Sequence, residues 1–194
     1  MGLMIASLAM GAGMTVNFVV VTPLARQAGL TEPQVGIMMS MGSLLFAMLM
    51  PFWSRLADRV GRKRVMVFSM AAMAGCNILF LLVLDAALQG AFAGLWGFFA
   101  LTSIRALFGI LAPGYHPASM AMMTEATTAR TRASGIGLLG AGMSIGTILG
   151  PAGAMVLAQY GALAPIWGSV ALSLFAAVIL VLVLTATSST RKAV

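Results

Sequence analysis

Arg105 stands far inside a stretch of some thirty mostly apolar residues, 92–121, and a guanidinium in such a place needs an explanation. A cation at the centre of a bilayer-spanning helix costs about 2.5–3.5 kcal/mol on insertion scales, unless it meets water or a partner. Either Arg105 faces a cavity, where it binds an anionic partner or joins a coupling step, or it is a structural group bonded to backbone carbonyls. No apolar run has a carboxylate at its middle: Glu32 and Asp85 lie at one set of run ends, Asp58 and Glu125 at the other. The other titratable candidate is His116, eleven residues on, or close to three helical turns. Helical periodicity puts Arg105, Gly109, Ala112, His116 and Met123 on one face, provided Pro113 does not rotate it. His116 either titrates near neutral pH or is a packed neutral histidine. Asn17 and Asn77 are amides in other apolar runs. Each either lines a cavity or bonds a neighbouring helix.

The elements that carry these groups follow from composition. Hydrophobic residues make up 61% of the 194 and charged residues 8%, against roughly 25% charged in a soluble domain. The bilayer is the better solvent for such a chain. Six runs are long enough to cross it: 3–25, 34–53, 65–84, 92–121, 134–158 and 164–186. The expected fold is an all-α membrane protein, one six-helix transmembrane domain over 1–194. The fourth run is long enough to project or break, and Pro113-Gly114 marks where a break would fall. The start of the chain has no basic region before its apolar run, so it reads as a retained first helix.

Charge sets the orientation. Every Lys and Arg except Arg26 and Arg105 falls in 54–64, in 124–133 or at Arg191 and Lys192 of the tail. Short Lys/Arg-rich loops stay cytoplasmic, so both termini are expected inside. The net charge of +7 does not form a nucleic-acid footprint, because the basic residues sit in short stretches between apolar runs. The single cysteine, Cys76, lies in an apolar run and reads as packing. The 17 methionines are scattered through the spans as flexible filler. No metal-ligand cluster, phosphate loop or nucleophile–base pair is present in the sequence, so no metal, cofactor or enzymatic chemistry is expected. Gly142, Gly146 and Gly150 form a GxxxGxxxG stripe, which implies close packing on a neighbouring helix.

The stretch Ser54-Arg55-Leu56-Ala57-Asp58-Arg59-Val60-Gly61-Arg62-Lys63 resembles the G-x-L-A-D-R-x-G-R-K signature of the major facilitator superfamily, with Ser54 in place of the first glycine. Leu101 and Arg105-Ala106-Leu107-Phe108-Gly109 resemble that family's fourth-helix pattern, with Phe108 and Leu111 in place of the usual Gln and Gly. Gly137, Gly146 and Gly150-Pro151 match the spacing of its fifth-helix pattern, G-x8-G-x3-G-P, which is associated with exchanging exporters. Ala154 and Met155 stand where that pattern ends in two glycines.

The resemblance implies one half of a twelve-helix bundle, by its motifs the N-terminal half. Thr187 to Val194 falls where a central linker would begin. The chain is then a fragment, a truncated product, or a half that needs a partner: a missing C-terminal half or a second copy. The resemblance implies secondary transport of a small molecule by alternating access, with proton-coupled efflux across a bacterial inner membrane. Asp58, with Arg59, Gly61, Arg62 and Lys63, would form a gating loop. Asp58 would face a helix N-terminus of the other half, and the bases would tie the loop to helix ends and anionic lipid. Arg105, Gly109, His116 and Asn17 would serve the cavity and coupling. Gly137, Gly146, Gly150 and Pro151 would bend the fifth helix. The alternative is a six-helix membrane protein that moves nothing and acts as a scaffold or binding partner.

Overall fold

The structure is a computed structural model that describes residues 2–91 and 94–190, with side chains described through 182. The first residues of the fourth run, 92 and 93, and the tail bases Arg191 and Lys192 lie outside the described residues. Every described element is a helix: α1 (Gly2–Gln27), α2 (Glu32–Val60), α3 (Arg62–Leu88), α4 (Leu95–Leu111), α5 (Tyr115–Ala126), α6 (Arg132–Ala158) and α7 (Ala164–Thr190). Among the described residues, six segments are long and apolar enough to cross a membrane, with α4 and α5 together forming one of them.

α1, α2 and α3 run past their apolar runs at both ends. The segment 54–64, expected as a connector, is helical except at Gly61. Hydropathy marks where the hydrocarbon ends, whereas a helix keeps satisfying its own backbone hydrogen bonds beyond that point. The chain turns at Gly61 because its φ is 106°, a value that only glycine adopts without strain. The exit from α1 uses Gly29, also at positive φ. Beyond it, the Thr31 amide donates to the Gln34 side chain at 2.9 Å, which satisfies one of the free amides at the start of α2.

The fourth span is interrupted. Pro113 has no N–H to continue the ladder, and α4 gives way to α5 across Ala112–Gly114. The indole of Trp53, on α2, donates to the Ile110 carbonyl at 2.7 Å. This bond satisfies a carbonyl at the point where the helix stops. Trp53→Phe keeps most of the packing and leaves that carbonyl without the indole donor. It is expected to destabilise the fold by about 1–3 kcal/mol, visible as a lowered unfolding temperature in detergent.

α1 is the centre of the bundle. Of its spanning window 61% is buried, against 22% for α2 and for α6. It packs most extensively on α6, then on α7. Helices in lipid gain little from apolar contact with one another and need close backbone approach instead. Gly142, Gly146 and Gly150 supply it. A Cβ on Gly142 or Gly150 would lie 2.9 Å from the Met4 carbonyl oxygen or 2.8 Å from that of Ala12. One on Gly146 would overlap the Leu8 carbonyl. The stripe therefore meets carbonyls at every fourth residue of α1. A second seam joins α2 and α4, where Gly109 rests on the Gly42 carbonyl and Gly42 faces the Arg105 carbonyl. The outward faces carry large apolar groups such as Leu44, Phe52, Ile148 and Met155, all exposed, as lipid contact requires.

Two apolar clusters fill the interior. One gathers Met10, Phe46, Trp53, Met66, Met70, Met73 and Tyr115. The other gathers Val21, Leu24, Met38, Phe80, Leu84, Leu101 and Ile166. In sequence, Asn17, Asn77 and Arg105 fall between the two sets on α1, α3 and α4.

Candidate functional site

The three polar residues at this level are joined. The Asn17 side-chain amide donates to the Gly13 carbonyl at 2.8 Å and to Asn77 Oδ1 at 3.2 Å. Asn17 Oδ1 accepts from Arg105 Nη2 at 3.3 Å. The guanidinium lies over the Phe80 ring, 4.6 Å from its centroid, and 5.9 Å from that of Phe108. Its Nε has no hydrogen-bond acceptor. Arg105 is 6% exposed, and among the described residues it makes no ion pair. A neutral amide and two ring faces thus hold a buried cation, where a carboxylate would be the usual partner.

Beside the guanidinium lies a pocket of about 110 Å³. Met14 and Phe18 of α1, Met39 and Phe46 of α2 and Phe108 of α4 form its apolar walls, and Asn17, Ser43 and Arg105 are its polar groups. The structure therefore brings Asn17 and Arg105 together at one cavity. Gly109 does not line it; it packs on the Gly42 carbonyl in the α2–α4 seam. His116 does not line it either. Its ring meets Phe46 and Tyr115 edge-on, with centroids 6.2 Å apart in each case. The helix that was expected to carry Arg105, Gly109, Ala112, His116 and Met123 on one face is interrupted at Pro113. α5 starts afresh at Tyr115, and Met123 packs under Gly135 of α6.

At the ends of α2, α3 and α5 a second polar group forms. Arg62 reaches Asp58 Oδ1 with Nη2 at 3.0 Å and Nε at 3.2 Å. Its Nη1 lies 2.6 Å from Glu125 Oε1. Asp58 is mostly exposed and is held by Arg62 within this chain. Glu125 had shown itself in the sequence only as an acid at a run end. Its bond to Arg62 depends on the α4–α5 break aiming α5, which periodicity does not convey. Arg59 is exposed and Lys63 half-buried beside this group. The carboxylates are exposed, so Glu125→Gln is expected to change unfolding stability by less than about 1 kcal/mol, measured by thermal unfolding in detergent.

In the fifth span, Gly146 and Gly150 are buried against α1, while Gly137 is exposed with open space where a Cβ would stand. Pro151 lies inside an α6 that stays helical from Arg132 to Ala158. Sequence reading missed Ser7 and Tyr115, whose hydroxyls bond at 2.9 Å between α1 and α5. A lone Ser and a lone Tyr in apolar runs carry no pairing signal across more than a hundred residues.

Known proteins are similar to this chain in sequence. The multidrug resistance protein MdtG of Salmonella typhi is 32% identical over 140 residues, which is 72% of this chain and 31% of that protein. MdtG of Citrobacter koseri is 34% identical over 127 residues, 65% of this chain and 28% of that protein. MdtG of Dickeya zeae is 32% identical over 140 residues, with the same coverage as the Salmonella protein. Each match covers about a third of the relative's length. The profile of the Major Facilitator Superfamily matches residues 3–194. With six membrane-length helices, the three sequence signatures and a match over almost its whole length, this chain is a member of the Major Facilitator Superfamily, and its helices fit the N-terminal half of that bundle.

Proposed function

We propose that this chain is one half of a secondary transporter that moves a small molecule across the bacterial inner membrane by alternating access, as proton-coupled efflux. The observation that carries the reading is the Arg105–Asn17–Asn77 network, set between two apolar clusters and opening on a pocket. Substrate sites of such bundles lie near the bilayer midplane, at the interface of two repeats. The similarity to multidrug resistance proteins supports export and a drug-like substrate.

In this reading α1 to α7 rock against a second six-helix unit, either a C-terminal half or a second copy. Both termini face the cytoplasm, with the basic ends of α2 and α3 inside. Asp58, Arg59, Gly61, Arg62 and Lys63, with Glu125 added, gate the inner side. The ion pairs are exposed and cheap to exchange, which suits groups that change partners during a cycle. The α1–α6 glycine seam, with Gly146, Gly150 and Pro151, keeps the moving helices in close register.

The test is flux. Proteoliposomes carrying the chain alone, and the chain co-reconstituted with a six-helix C-terminal half, would be given a pH gradient and a set of drug-like fluorophores. Gradient-driven dye movement in the two-half sample, or from a homodimer of the chain, supports the proposal. Dye that stays put in both, with the helices folded by circular dichroism, overturns it and leaves a non-transporting membrane protein.

A further inference from the structure

Arg105 is a buried cation with a weak set of partners. One Nη2 contact to a neutral amide at 3.3 Å is long for a charged donor. The Nε proton has no acceptor. The two rings attract the cation but accept no strong hydrogen bond. The four carboxylates of the chain belong to Glu32, Asp58, Asp85 and Glu125, and none of them lines the pocket beside the guanidinium. A fork of five N–H donors with vacant positions matches the geometry of an oxyanion better than any other group. The rest of the pocket is thioether and aromatic, which suits an apolar body. Its volume of about 110 Å³ is of the order of a cavity that holds one benzene ring. The space within this chain thus takes an anionic group and about one ring or short chain of its carrier.

We infer that this pocket selects amphipathic anions, molecules with a carboxylate, sulfonate or phosphate on an apolar body, whose oxyanion is seated on Arg105 with Asn17 and Ser43 beside it. The inference rests on the reading of the pocket as the substrate site and adds the charge class of the substrate. A cationic compound meets no carboxylate in this pocket: its polar groups are one fixed cation, an amide and a hydroxyl. The positive field of Arg105 at close range and low dielectric opposes it.

The experiment is binding to the purified chain in nanodiscs of phosphatidylcholine, whose zwitterionic headgroups carry no net charge and are present equally for every probe. Three probes share one scaffold: 4-phenylbutyrate, 4-phenylbutanol and 4-phenylbutylammonium. Calorimetric titration, with empty nanodiscs subtracted, reads the affinity of each. The anion is expected to bind at least about tenfold tighter than the alcohol, as hydrogen bonds to a charged group would give, and the ammonium weakest of the three. Arg105→Gln is expected to bring anion and alcohol together, and Arg105→Lys to restore part of the gap. Because Arg105 also ties α1 to α4, Ser43→Phe gives an independent check. Ser43 is exposed at the pocket, so the phenyl plugs the site with Arg105 in place and should abolish anion binding.

The inference is overturned if the anion does not bind, if the alcohol or ammonium binds as well as the anion, or if the anion preference persists in Arg105→Gln. Gradient-driven flux of cationic dyes with no anion preference would sink this inference and leave the transport reading standing. Anion binding without any flux would do the reverse.

Discussion

Gly146→Ala is expected to destabilise the folded bundle by about 2 kcal/mol, within the usual range for overpacking a tight contact. The added methyl would overlap the Leu8 carbonyl oxygen and lie 2.9 Å from the Ala12 nitrogen, both backbone atoms of α1. A side chain could swing aside, but the backbone of the central helix cannot, so α1 and α6 must separate. Separation also strips contact from Gly142, Gly150 and Gly11, which share the seam. Within a helix, alanine is otherwise favoured over glycine by about 0.5–1 kcal/mol, so the steric cost must exceed that gain to show. Gly153→Ala isolates the gain, because no atom lies within 4 Å of its Cβ position. It should leave stability unchanged or slightly raised, and Gly137→Ala should behave in the same way. Thermal unfolding of the three variants in one detergent decides the matter. Equal melting of Gly146→Ala and Gly153→Ala would show that the α1–α6 seam is looser than described.

Arg105→Met is expected to hold or raise the stability of the bundle and to lower transport more than tenfold in the two-half assembly. The two parts have different causes. Removing a buried charge returns the desolvation cost of the guanidinium, and apolar replacements of buried ions are often neutral or stabilising by about 1–4 kcal/mol. Against this, Asn17 Oδ1 loses its donor, which costs about 1–3 kcal/mol if nothing replaces it. Methionine fills much of the same volume and lies well against Phe80 and Phe108. A purely structural arginine would behave in the opposite way, with stability falling and flux falling only in proportion to folded protein. Unfolding temperature and flux per folded molecule, measured on the same preparation, separate the two cases.

Much of this molecule could be read from one dimension because the bilayer imposes a one-dimensional constraint. Apolar length marks the spans, and the distribution of Lys and Arg marks the loops that flank them. The family signatures were equally legible, since Asp58 to Lys63, Arg105 and the α6 glycines occupy short stretches with fixed spacing. Even the interruption of the fourth span was written in Pro113, which lacks the N–H that the helix needs.

Which residues meet is set by how the helices pack. The stripe spacing sets Gly146 apart from Gly137, but that the helix it meets is α1 depends on how α6 is turned in the bundle. His116 meets Phe46 and Tyr115 and does not line the pocket beside Arg105, a placement that spacing along the chain does not convey. Asn17, Asn77 and Arg105 come from three separate helices, and their joining follows from how those helices cross. The ionic partner of Asp58 is Arg62, and that of Arg62 is also Glu125, through the direction α5 takes after the break. The order of residues is enough to show that no span has a carboxylate at its middle and to place Arg105 inside a span. The packing alone decided that it stands, incompletely bonded, beside a pocket, because spacing along a chain sets a residue's depth in the bilayer and the crossing of helices sets its neighbours.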